Sequence, residues 1–182
     1  MTEPTPDPTI LAEIHSPVDA TVESEGDHGT LLMKRHFQQS PARLWHMITE
    51  PDELVRWSPV VPNRPLTSPG AAMCHESPEQ KWIDAEVLLA NEPYELVHRW
   101  GQDILRWTIT PSESGSTLEL RHTFADRSAA SMFAAGWQVC LGTLAATHDN
   151  ADRERVVGQR ALAYGWSELN DHYASRWTGE DA

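Results

Sequence analysis

The chain has 182 residues, with 14 Lys and Arg against 27 Asp and Glu, a net charge of −13. That balance argues against a protein that tracks nucleic-acid phosphates or an anionic membrane surface, and this length suits one domain with tails. The opening MTEPTPDPTI lacks a basic-then-apolar leader, no apolar run suggests a membrane span, and Cys74 and Cys140 make no disulfide framework, so a reducing cytoplasm is the expected compartment.

Residues 1–27 hold seven acids and no Lys or Arg, punctuated by four prolines. This composition buries little, and it predicts a flexible acidic tail. A strand is predicted over 28–37. Ser40 then caps a helix with Pro41 in its first turn, where the missing N–H costs nothing. A second short helix starts at Pro51, with Asp52 and Glu53 suited to its dipole, and closes at Leu54 and Trp57. Residues 58–81 contain five prolines and read as a loop with at least one strand near 70–76. Four strands follow as a meander: 82–90, 94–100, 104–110 and 117–124. The period of two is clean here. Leu105, Trp107 and Ile109 share one face, as do Leu118, Leu120, His122 and Phe124. Short turns imply antiparallel pairing.

After Asp126 the period becomes helical. Phe133, Trp137, Cys140, Leu141 and Leu144 form one apolar stripe on a long helix ending near Thr147. Residues 148–155 are a polar break. Leu162, Trp166, Leu169, Tyr173 and Trp177 then mark an amphipathic closing helix. The expected division is a tail over 1–27, a domain over 28–148, and a linker with a packed helix over 149–182.

Three segments carry a resemblance. The run from Ser40 to Trp57 (SPARLWHMITEPDELVRW) resembles the opening of the START-like, or SRPBCC, superfamily, in the branch named for the C-terminal domain of the heat-shock-protein-ninety ATPase activator. Ala134 to Leu141 (AAGWQVCL) is similar to that branch's Gly-Trp followed by Cys-Leu. Tyr164 to Asn170 (YGWSELN), followed by Tyr173, resembles the closing helix of bacterial members. The resemblance implies an α+β helix-grip fold: a curved antiparallel sheet wrapped around a long C-terminal helix, with an apolar cavity between them. The residues themselves add two short helices after the first strand and an extra closing helix. It implies no single activity, since members include carriers, cyclases or aromatases, and co-chaperone domains.

Within that frame Trp82, Trp100, Trp107 and Trp137 are candidates to line the cavity, with Trp57 near its mouth. For any single Trp, plain core packing is the competing explanation. Eight Trp beside three Phe and three Tyr nevertheless suit a pocket for a flat ligand. His122 shares its face with Leu118, Leu120 and Phe124, and His98 shares parity with Leu96 and Trp100. Each is either a hydrogen-bonded core histidine or a polar contact for a ligand. Phe133, Gly136, Cys140 and Leu141 complete the candidate wall. Gly136 costs a helix about 1 kcal/mol relative to Ala. Either the backbone approaches a neighbour there, or the missing side chain keeps space open.

No HxH, HExxH or CxxC pairing signals a metal, and no phosphate loop or dinucleotide glycine pattern signals a nucleotide. No cofactor is expected. The expected partner is an apolar small molecule, aromatic or lipid-like. A cyclase-type enzyme using His122 and a neighbouring acid is the alternative, and a protein-interaction module is another. The negative charge and the lack of a companion domain argue against a chaperone partner, and a homodimer stays open.

Overall fold

The computed structural model describes residues 5–178, and its first element begins well inside the stretch expected to be a flexible tail. Asp7 accepts hydrogen bonds from the Thr9 and Ile10 amides and Pro8 fills the first turn, opening α1 (Pro8–Ile14). This is the same acceptor-then-proline device that opens α2 (Pro41–Thr49), where Ser40 accepts from the Arg43 amide. Ile10 and Ile14 are fully buried. β1 (Asp19–Glu25) pairs antiparallel with β2 (His28–Phe37), from Asp19 opposite Lys34 to Glu25 opposite His28. The expectation of a flexible tail is therefore corrected over residues 5–27; residues 1–4 lie outside the described residues.

α3 (Pro51–Leu54) follows α2 directly. The loop-like stretch then contributes β3 (Val61–Pro62) and β4 (Met73–His75), which with β5 (Ile83–Asp84) form a small three-stranded sheet. The strand expected over 82–90 is thus two strands in two sheets. β6 (Val87–Asn91) starts after the break at Ala85–Glu86 and carries a register shift between Val87 and Leu89. β7 (Glu95–Trp100), β8 (Asp103–Ser112) and β9 (Gly115–Phe124) complete the meander. The main sheet has six strands in the order β1-β2-β9-β8-β7-β6, all antiparallel. Leu31, His122, Leu105 and His98 stand in one row across its inner face.

A turn of 3₁₀ helix leads into α4 (Ala130–Ala146), whose Trp137, Cys140, Leu141 and Leu144 join the core against this sheet. The architecture is the helix grip that the sequence implies. Two features differ. The apolar segment Arg127–Asp149 is 23 residues long, enough by length and composition to cross a membrane. Both faces of α4 are covered by protein, which accounts for its apolar character. The inner face meets the sheet, and Val139 and Ala146 on the outer face pack with Ile10, Ile14, Val156, Ala161 and Tyr164. Gly142 sits between them: a Cβ there would lie 2.6 Å from Ile14 Cγ1 and 2.9 Å from Ile14 Cα, so α1 reaches α4 only because this side chain is missing.

The second difference is at the closing helix. Residues Gly158–Tyr164 form a 3₁₀ segment, and Gly165 turns left-handed at φ 87°. α5 (Trp166–Thr178) starts after that turn. Leu162 is consequently off the apolar stripe and 55% exposed, while Tyr173 and Trp177 are buried. Gln138 of α4 ties three helices together, donating to the Ile14 carbonyl at 2.9 Å and accepting from the Tyr173 hydroxyl at 2.5 Å. Buried Arg35 donates to the Glu13 carbonyl at 2.6 Å and pairs with its carboxylate.

Candidate functional site

α4 presents Phe133, Gly136, Trp137 and Cys140 along one flank, at spacings that keep them on adjoining turns. Trp100, at the end of β7, stands beside them. Its ring centroid is 5.6 Å from Trp137 and 6.4 Å from Phe133. Residues 156–161 and Trp166 cross over this flank as a strap. Between strap, helix and Trp100 lies a cavity of about 290 Å³, open to solvent at a rim that includes exposed Met132. Its lining is apolar apart from Glu76. Arg155 anchors the start of the strap, donating to the Ser58 carbonyl at 2.7 Å and also to the Glu76 carbonyl. Gly136 faces open space, since a Cβ there would meet only Trp166 Nε1 at 3.8 Å.

Of the sequence candidates, Trp100, Phe133, Gly136, Trp137 and Cys140 meet at this wall. The space directly between sheet and α4 is packed core, so the cavity lies on the helix flank. Trp57 is buried, not at a mouth: its Nε1 donates to the Met47 carbonyl at 3.0 Å and its ring meets Trp107 edge-on at 5.9 Å. Leu141 and Phe124 are core residues. Trp82 is half exposed and packs on His75, beside β5 of the small sheet.

The two inward histidines are locked by indoles. Trp107 Nε1 donates to His98 Nε2 at 3.1 Å, which leaves His98 Nδ1–H to donate to the Arg99 carbonyl at 3.0 Å. Trp137 Nε1 donates to His122 Nδ1 at 3.1 Å, which leaves His122 Nε2–H to donate to Asp103 Oδ2 at 2.8 Å. An indole N–H can only donate, so both imidazoles are neutral with fixed tautomers. Burial pushes the pKa of His98 down to about 4. Burial also lowers that of His122, against the opposing pull of Asp103. With both nitrogens of His122 engaged, the ring holds Trp137 and Asp103 in place and has no free lone pair for a proton shuttle. The Cys140 thiol is pushed up to about 12 by burial and the Glu76 charge, too high for a nucleophile near neutral pH.

A family sequence model described as Activator of Hsp90 ATPase homolog 1-like protein matches residues 38–149. The chain belongs to that family. The match spans α2 through α4 and takes in most of the cavity wall, while α1, the strap and α5 lie outside it. No curated protein matches this activator-homolog-like chain. Solved structures share its fold. A conserved protein of unknown function from Enterococcus faecalis, EF2215, is 17% identical with a TM-score of 0.71, over 94% of this chain and 95% of that one. CalU16 from Micromonospora echinospora is 13% identical with a TM-score of 0.61, over 87% and 94%. DynU16, from the dynemicin biosynthetic locus, is 20% identical with a TM-score of 0.57, over 69% of this chain and 48% of that one.

Sequence reasoning missed the strap and Asp103. The strap is irregular, so no periodicity marks it. Asp103 carried a usable signal: it precedes Leu105 and Trp107 by two and four residues, so the alternation extended by one step sends a carboxylate inward.

Proposed function

We propose that this protein binds a small apolar ligand with an aromatic body in the cavity on the flank of α4. The observation that carries this reading is the wall itself: Trp100, Phe133, Trp137 and Trp166 surround about 290 Å³ whose only charged side chain among the described residues is Glu76. Flat rings around an apolar space of that size suit one or two fused rings. Gly136 supports it, because a residue that weakens the helix is kept where any side chain would fill the space. The test uses N-phenyl-1-naphthylamine, a neutral dye that brightens in apolar surroundings. Saturable enhancement at one dye per chain is expected, together with its loss in Gly136→Leu. A wild-type protein that gives no enhancement, or a folded Gly136→Leu that binds as wild type does, overturns the reading. Native mass spectrometry of freshly purified protein shows whether a ligand is retained.

A further inference from the structure

Beside the aromatic cavity lies a second hollow of about 280 Å³, with His75, Lys81 and Asp103 in its lining. Both spaces share Glu76, Trp100 and Phe133, so they adjoin at those residues. The Asp103 carboxylate is the polar group of this hollow that the fold holds most firmly. One oxygen accepts from His122, which is fully buried, and the carboxylate remains 22% exposed. Because His122 accepts the Trp137 N–H on its other nitrogen, it is neutral and brings no charge to offset Asp103.

The two nearby arginines are committed elsewhere. Arg99 faces Asp84 and Glu86. Arg155 is bound to the carbonyls of Ser58 and Glu76, with its charge felt by the Glu76 carboxylate. Lys81 lines the hollow but is exposed and forms no ion pair within 4 Å among the described residues. His75 Nδ1 is buried there without a partner. Asp103 is thus a carboxylate with no Lys or Arg within 4 Å among the described residues, in a concavity with aromatic walls. Such surroundings suit an organic cation, which gains a charge-assisted hydrogen bond and ring contacts together. A metal ion is not favoured, since no group of three or more His, Cys, Asp or Glu among the described residues is placed to hold one.

We propose that the adjoining hollows select ligands bearing a protonated amine, seated on Asp103 while the apolar body lies against Trp100 and Phe133. This inference rests on the aromatic cavity being a ligand site and names the class of ligand it takes. Three indoles with different side-chain charges test it by calorimetry: tryptamine as cation, tryptophol as neutral analogue and indole-3-acetate as anion. The expected order is tryptamine, then tryptophol, then indole-3-acetate, with about tenfold or more between the first two, as for one charge-assisted hydrogen bond. Higher salt should narrow the gap. Asp103→Asn keeps an oxygen for His122 and should bring tryptamine to the level of tryptophol.

Equal binding of tryptamine and tryptophol by the wild type, which needs no variant to fold, overturns the proposal. So does a tryptamine preference that survives in Asp103→Asn, or failure of all three indoles where the neutral dye binds. In each of those cases the cavity still stands as an apolar site. If neither the neutral dye nor any indole binds, the cavity reading falls and the amine anchor falls with it.

Discussion

The two faces of α4 solve opposite packing problems. The inner face carries Trp137, Cys140, Leu141 and Leu144 into a sheet core that fills the space between layers. Each buried histidine of that core accepts one indole N–H. The outer face carries Val139, Gly142 and Ala146, spaced three and four apart, and it admits another helix at backbone distance. Bulky side chains build a core from one helix and a sheet. Small ones let a helix be gripped from both sides. The cavity opens on the flank where these regimes meet, at Gly136.

The sharpest way to break this comparison is to remove what the outer face holds. Deleting residues 1–17 strips Ile10 and Ile14 from their sockets. At roughly 1.5–3 kcal/mol per buried side chain, the gross loss is roughly 3–6 kcal/mol before the entropy regained by the freed segment. A fall in melting temperature of many degrees is expected, and an unchanged melt would show that the outer face is not structural.

Acid probes the inner face instead. The His98 pKa is lowered from its ordinary value to about 4, so the unfolded chain binds the extra proton between pH 6.5 and 4. The stability this neutral ring contributes is full above pH 6.5 and is lost as pH falls toward 4, by about 3 kcal/mol. His122 acts in the same direction. Urea melts across that range should show the decline, and His98→Asn should flatten part of it. A slope unaltered by His98→Asn would mean that the carboxylates alone set the profile.

Substituting Gly142 by Ala is the next smaller step. The added methyl meets the backbone of Ile14, which cannot rotate away, so strain of about 1–3 kcal/mol is expected. The same change at Gly136 separates the two glycines, because Gly136→Ala should stabilise by up to about 1 kcal/mol in chemical melts. Equal effects at the two sites would erase the distinction between a packed and an open position.

What the sequence disclosed follows the same division. The meander and the inner face of α4 were legible, since alternation and a four-three stripe of large residues are strong periodic signals. Leu105, Trp107, Ile109, His122 and Phe124 all point where parity sends them. The outer layer was obscured by composition. Asp7 and Pro8 announce a helix as plainly as Ser40 and Pro41 do, and Ile10 and Ile14 share a face. Seven acids around them suggested a solvated tail. The outer stripe of α4 was hidden for another reason: small residues add little apolar area, so they pass for neutral filler. The part of the cavity wall that belongs to α4 was readable, whereas the strap depends on tertiary contacts such as Arg155 on the Ser58 and Glu76 carbonyls.

The anchoring of α1 also sets an order of events during synthesis. Its amide at Asp7 binds the Tyr164 hydroxyl, the Asp7 carboxylate meets Arg153, and its last carbonyl accepts from Gln138. These partners follow 157, 146 and 124 residues later in the chain. α1 is therefore seated only after α4 and the strap have emerged. During that wait its two isoleucines have no socket. The acids around it serve the seated helix rather than the waiting one: Asp7 caps it and meets Arg153, and Glu13 meets buried Arg35.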